Sequence, residues 1–154
     1  MRIEEDLKLD FKDVLIRPKR STLGSRKEVD IRRNFTFKWS GRTYDGVPIV
    51  SANMDGVGTF DMARAFHADG NGLSVALTKH YSEEQLIEFL NNDPAAANVW
   101  YSIGVAERDQ EKLDAVMKGA PGKIEKICID VANGYSEVFT NFVRKAREDY
   151  PDLT

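Results

Sequence analysis

The chain has 154 residues, 42% apolar and 31% charged, with a formal net charge of −3 and a pI near 5.5, about one average domain with no electrostatic case for nucleic acid or an anionic membrane. No apolar run approaches the ~18 residues a membrane span needs, and the charged N-terminus MRIEEDLKLDFKD lacks the apolar centre of a secretory signal. A single cysteine, Cys128, and two histidines argue against a disulfide framework and a multi-cysteine metal site, so these numbers predict a reduced, cytoplasmic α/β protein.

Residues 1–46 form a leading segment. LKLDFKDVLIRPKRST and EVDIRRNFTFKWS read as extended or hairpin stretches, with charge runs that a solvated face would also explain. From residue 47 two textures alternate. Short β-branched runs occur at 47–53 (VPIVSAN), 72–78 (GLSVALT), 98–104 (NVWYSIG) and 123–130 (KIEKICID), one start about every 25 residues. Their apolar character on both faces suits parallel strands covered by helices.

The intervening stretches have helical spacing. Gly70 suits a helix C-terminus, and His67 ends that helix, where a cation favours the dipole. Ser82 and Gln85 have capping-box spacing and Tyr81 can staple onto Leu86, so the second helix is predicted to start at Glu83. In EVFTNFVRKAREDY, residues Val138, Phe139, Phe142, Val143 and Ala146 share one predicted core face. Four βα units of this kind form half of a (β/α)8 barrel or a small open sheet, and no Pro/Gly/Ser-rich linker divides them. The expectation is one partial domain over 1–154, with βα units over 47–154.

In such folds function collects at the carboxyl ends of the strands. Those ends read SANMDG (51–56), TKHY (78–81), SIGVAE (102–107) and DVANG (130–134), so Asp55, Lys79 and Asp130 are expected to face one mouth. Each has a plainer explanation. Asp130 suits an Asx-type turn cap, Lys79 a solvated charge, Asp55 a bond to a nearby N–H, and Gly134 a positive φ. His80 is ambiguous, and Cys128, inside a strand, reads as a small core residue. No GxGxxG or GxxxxGK[ST] loop is present.

Several stretches together go further. LDFKDVLIRPKRST (9–22), VPIVSANMDGVGTF (47–60), KHYS (79–82) and ICIDVANGYSE (127–137) resemble the IMP dehydrogenase/GMP reductase family, and its reductase branch in particular. The dehydrogenase branch usually has proline where this chain has Asn53, and a long insertion after the second helix where this chain has only NNDPAAA (91–97). A dehydrogenase-like protein is the minor alternative.

The resemblance implies the N-terminal half of a (β/α)8 TIM barrel in a cytoplasmic homo-oligomer, a tetramer in the family. It also implies NADPH-dependent reductive deamination of GMP to IMP and ammonia, through a thioimidate between a loop cysteine and purine C2. By position, Asp130, Val131 and Ala132 are expected at the nicotinamide-ribose end of the cofactor, and Lys79 at the same end beside the departing ammonia. Ser25 and Arg26 are expected to reach a neighbouring subunit's NADPH, a bidentate guanidinium suiting its phosphate, and Met54 to line the purine pocket. The nucleophilic cysteine and a K+ site are expected beyond residue 154, so the chain alone is expected to be inactive. Alternatives are a non-catalytic nucleotide-binding protein that dimerises, or an interaction fragment.

Departures from the family pattern are Thr78 in place of histidine, Gly56 in place of threonine, and Ile103 and Val105 where Ser/Thr hydroxyls are usual.

Overall fold

A computed structural model describes residues 3–154, which divide into two compact units at Asp30 and Ile31. In the first unit Asp10 and Asp13 close a capping box around a 3-10 turn at Phe11–Asp13. Asp10 accepts from the Phe11 N–H at 2.7 Å, and Asp13 from the Asp10 N–H at 3.0 Å. A second turn, Arg26–Glu28, is capped by Ser25. Such short turns bury little within the unit, and Phe11, Leu15 and Ile16 are 95%, 97% and 97% exposed.

The second unit begins with an antiparallel pair, β1 (Arg33–Thr36) and β2 (Thr43–Gly46), with Phe35 opposite Tyr44. Four parallel strands follow: β3 (Val50–Ser51), β4 (Ser74–Ala76), β5 (Val99–Ile103) and β6 (Ile127–Ile129). They alternate with α1 (Phe60–Asp69), α2 (Glu83–Asn92), α3 (Glu107–Gly119) and α4 (Glu137–Asp149). The sheet order is β3-β4-β5-β6, the order of the chain. Every crossover therefore steps the same way, and right-handed crossovers place the helices on one side of the sheet. The fold is α/β, a parallel four-stranded sheet with four helices.

Register decides which residues form the core. Val75 lies opposite Val99, Tyr101 opposite Ile127 and Ile103 opposite Ile129, and all six belong to or pack against the buried cluster with Leu86, Phe89, Leu113 and Val116. The other face carries Ser74, Ala76, Ser102 and Cys128 together with Trp100, which lies opposite Ala76 and donates its ring N–H to the Ser74 hydroxyl at 3.0 Å. Each ladder is shorter than the apolar run that predicts it, because its ends take other partners. At Thr78 the amide leaves the strand and donates to the Gly58 carbonyl at 2.8 Å.

The predicted helix signals hold at two places. Ser82 and Gln85 form a capping box on α2, which starts at Glu83, and Gly70 caps α1 in the left-handed region at φ 69°. Tyr81 stacks on Phe60 with ring centroids 3.8 Å apart, tying the start of α1 to the loop after β4. The expectation for α4 is only partly met. Of its predicted core face Ala146 is buried and Phe142 packs against the core, while Val138 is 62% exposed. The reason is position: α4 flanks β6 at the margin of the sheet. Beyond β6, Thr154 adds a parallel-type bridge, donating to the Glu125 carbonyl and accepting from the Ile127 N–H, both at 2.9 Å.

The turn after β3 packs backbone against backbone on the end of β4. A Cβ at Gly58 would meet the Ala76 oxygen at 2.4 Å and the Thr78 nitrogen at 2.8 Å, whereas one at Gly56 would meet nothing within 4 Å. Gly58→Ala is therefore expected to destabilise the chain by about 1–3 kcal/mol, the usual cost of overpacking. Gly56→Ala is expected to stay within about 0.5 kcal/mol of the parent. Paired urea denaturation curves check both.

Candidate functional site at the carboxyl rim of the sheet

Parallel strands in chain order deliver all their carboxyl ends to one rim, and the polar residues there meet in two clusters. The first joins the turn after β3 to the loop after β4. Asp55 Oδ1 accepts from the Thr78 hydroxyl at 2.7 Å and lies 3.0 Å from His80 Nδ1. The turn is held from within, the Met54 carbonyl accepting from the Val57 and Gly58 amides at 2.9 and 2.6 Å.

The second cluster spans β4 to β6. Lys79 Nζ lies 2.9 Å from Asp130 Oδ2 and donates to the Asp130 carbonyl at 3.3 Å. The Asp130 amide is fixed independently, donating to the Ile103 carbonyl at 2.8 Å where the β5–β6 ladder ends. The backbone anchors Asp130 while its side chain turns to Lys79. That partner holds the Asp130 carboxyl below the usual carboxylate range, and the Asn53 side chain adds to the effect, although the Asn53 amide nitrogen lies outside hydrogen-bond geometry. With side-chain exposures of 38% and 43%, both charges remain open to a ligand.

Two of the plainer explanations are corrected. The turn after Asp130 is capped by Asn133, whose side-chain oxygen accepts from the Tyr135 N–H at 3.0 Å, leaving the Asp130 carboxylate to Lys79. Gly134 has no positive φ, because the chain there runs straight into the N-terminus of α4, which Ser136 caps.

Cys128 shares its face with Ser102, opposite which it lies in the ladder. Burial pushes its thiol up; the Ser102 hydroxyl opposes this, Asp130 adds to it and Lys79 opposes. A neutral, half-buried thiol is a poor nucleophile, and the group packs.

The other expected site residues fall as follows. Val131 is half-buried and Ala132 exposed, immediately after Asp130, and Met54 is exposed in the turn after β3. Ser25 and Arg26 belong to the first unit, where the Ser25 hydroxyl accepts from the Lys27 N–H at 3.2 Å and Arg26 opens the turn that it caps. Ile103, one of the departures, is a core residue, so a hydroxyl missing there is missing from the core. Thr78 was legible only as a departure, yet its hydroxyl holds Asp55. Asn53 drew no notice as a neighbour of Asp130, because nothing in the sequence links the loop after β3 to the loop after β6. Among the described residues no group of three or more His, Cys, Asp and Glu could hold a metal ion, and no helix is long and apolar enough to cross a membrane.

The IMP dehydrogenase / GMP reductase domain family matches residues 8–154. Proteins named GMP reductase from Salmonella typhi, Salmonella paratyphi C and Klebsiella pneumoniae are 54%, 53% and 53% identical to the whole chain. The chain spans 44% of the length of each.

The Lys79–Asp130 pair sets a testable pH dependence. The folded carboxyl titrates below its unfolded value, so the stabilisation is present above about pH 3.9 and is lost as pH falls through the folded value. Because both groups are partly exposed, Lys79→Met is expected to cost at most about 1 kcal/mol near neutral pH. That difference should vanish in acid, as followed by thermal unfolding from pH 7 to pH 2.

Proposed function

The chain belongs to the IMP dehydrogenase/GMP reductase family, and on that premise we propose that it supplies the cofactor-end half of a GMP reductase-type active site. In this reading residues 47–154 are the first four βα units of a (β/α)8 barrel. The sequential order of the parallel strands supports it, as does the bridge that Thr154 adds to the outer edge of β6. The reaction is reductive deamination of GMP to IMP and ammonia with NADPH, in a cytoplasmic homotetramer serving purine interconversion. The relatives named GMP reductase support the reaction class.

The observation that carries the reading is the Lys79–Asp130 pair, 2.9 Å across the rim, partly exposed on both sides. Its donor set fits a nicotinamide-ribose: a carboxylate accepts from hydroxyl groups, and an ammonium donates to a carbonyl or ribose oxygen. When bound, NADPH supplies hydride. The chain's own residues hold and orient. Asp130, a carboxylate at neutral pH that Lys79 and Asn53 hold below the usual carboxylate range, accepts from the ribose. Lys79 places its ammonium beside the departing amine and adds positive charge near the reacting carbon. Val131 and Ala132 present backbone at the same end, and Met54 offers an apolar surface to the purine. Ser25 and Arg26 reach the phosphate-bearing end of a cofactor held by another copy. Cys128, a neutral packing thiol, does not act as the nucleophile, so residues 1–154 alone are not expected to turn over GMP.

The test uses a chain extended to the full family length. Asp130→Ala is expected to lower turnover about 100-fold or more while the melting temperature falls by only a few degrees. Turnover that holds while stability drops by several kcal/mol would assign Asp130 a purely structural role.

A further inference from the structure

Lys112 lies on α3, outside the rim, and no feature of the sequence draws attention to it. Its half-buried side chain reaches back to the loop after β4. There Nζ donates to the Lys79 carbonyl at 3.2 Å and to the Tyr81 carbonyl. An ammonium has three donors and no acceptor, so two carbonyls two residues apart form a clamp that an apolar side chain cannot provide.

That loop is pinned elsewhere on its other sides. The Thr78 amide donates to the Gly58 carbonyl at 2.8 Å and its hydroxyl to Asp55 at 2.7 Å. Tyr81 stacks on Phe60, its hydroxyl accepting from the Phe60 N–H at 3.1 Å. Between these anchors lies Lys79. With its carbonyl drawn toward α3 by Lys112, its side chain extends across the rim to Asp130. Charge repulsion between the two lysines is limited because Lys112 meets the backbone of residue 79, not its ammonium.

We propose that Lys112 is a positioning residue for Lys79, clamping the backbone of residues 79–81 so that the Lys79 ammonium is held on Asp130. The consequence for catalysis rests on the function proposed above; the geometry and its test do not. A side chain that merely stabilised α3 would leave the Lys79–Asp130 contact alone when removed. One that positions Lys79 would not.

The experiment is a carbon-13 NMR titration of the side-chain carboxyls in the 154-residue chain, comparing the parent with Lys112→Met, Lys112→Arg and Lys79→Met. Lys79→Met defines the full upward shift of the Asp130 midpoint on loss of its partner. Lys112→Met is expected to reproduce at least half of that shift, and Lys112→Arg, which restores a cationic donor, to reverse most of it. Asp93, paired with Arg64 at 2.7 Å on other elements, should not move. An unchanged Asp130 midpoint in folded Lys112→Met would overturn the proposal, as would Asp93 moving in parallel, the mark of general loosening. Should Lys112→Met lose amide dispersion, Lys112→Ala, which likewise removes the donor, is read by the same criteria. A chain that fails to bind NADPH would defeat the proposed function and leave this result standing.

Discussion

Parallel strands laid down in chain order constrain everything else in the second unit. Each strand must be followed by a helix returning to the amino end of the next, and right-handed crossovers put those helices on one side. All carboxyl ends then open onto one rim. Asp55, Thr78 to His80, and Asp130, remote in sequence, become neighbours through the ladder alone. The turn at Gly58 sharpens the constraint, since its backbone lies directly on the end of β4 with no room for a side chain.

Within that rim the charges are arranged for accessibility, not for stability. A pair such as Lys79 and Asp130, each more than a third exposed, contributes little to folding. Its geometry is nevertheless well determined, because the Asp130 backbone completes a ladder and the Lys79 backbone lies between anchors on three other elements. Weak contribution to stability, firm placement and exposure are what a binding contact requires. Cys128, two residues from Asp130, is the reverse: burial keeps it neutral and the ladder keeps it packed.

Much of the fold was legible because it rests on local chemistry. β-branched runs alternating with helical spacing marked the four βα units, and Ser82 with Gln85 located the start of α2 to the residue. The rim was legible as a place, since the first, second and fourth strands ended in polar residues a core would not hold. Its pairings were not. Whether Asp130 meets Lys79 or its own turn depends on register and side-chain reach, and the turn had a competitor in Asn133. Gly134 was misread because a glycine in a polar loop need not have positive φ. Val138 was misread because helical periodicity marks an apolar face without saying what covers it. Lys112 could not be found at all: a lysine on a charged helix has no signature that points to carbonyls some thirty residues earlier.

The most direct measurement is the titration of NADPH into the isotopically labelled 154-residue chain, followed by backbone amide shifts. The account predicts that the perturbed amides cluster at the rim, in residues 53–56, 78–81 and 130–134. Perturbations confined to the opposite, amino-terminal end of the sheet, around Lys123 and Lys126, or none at cofactor concentrations that saturate the full-length relatives, would contradict it.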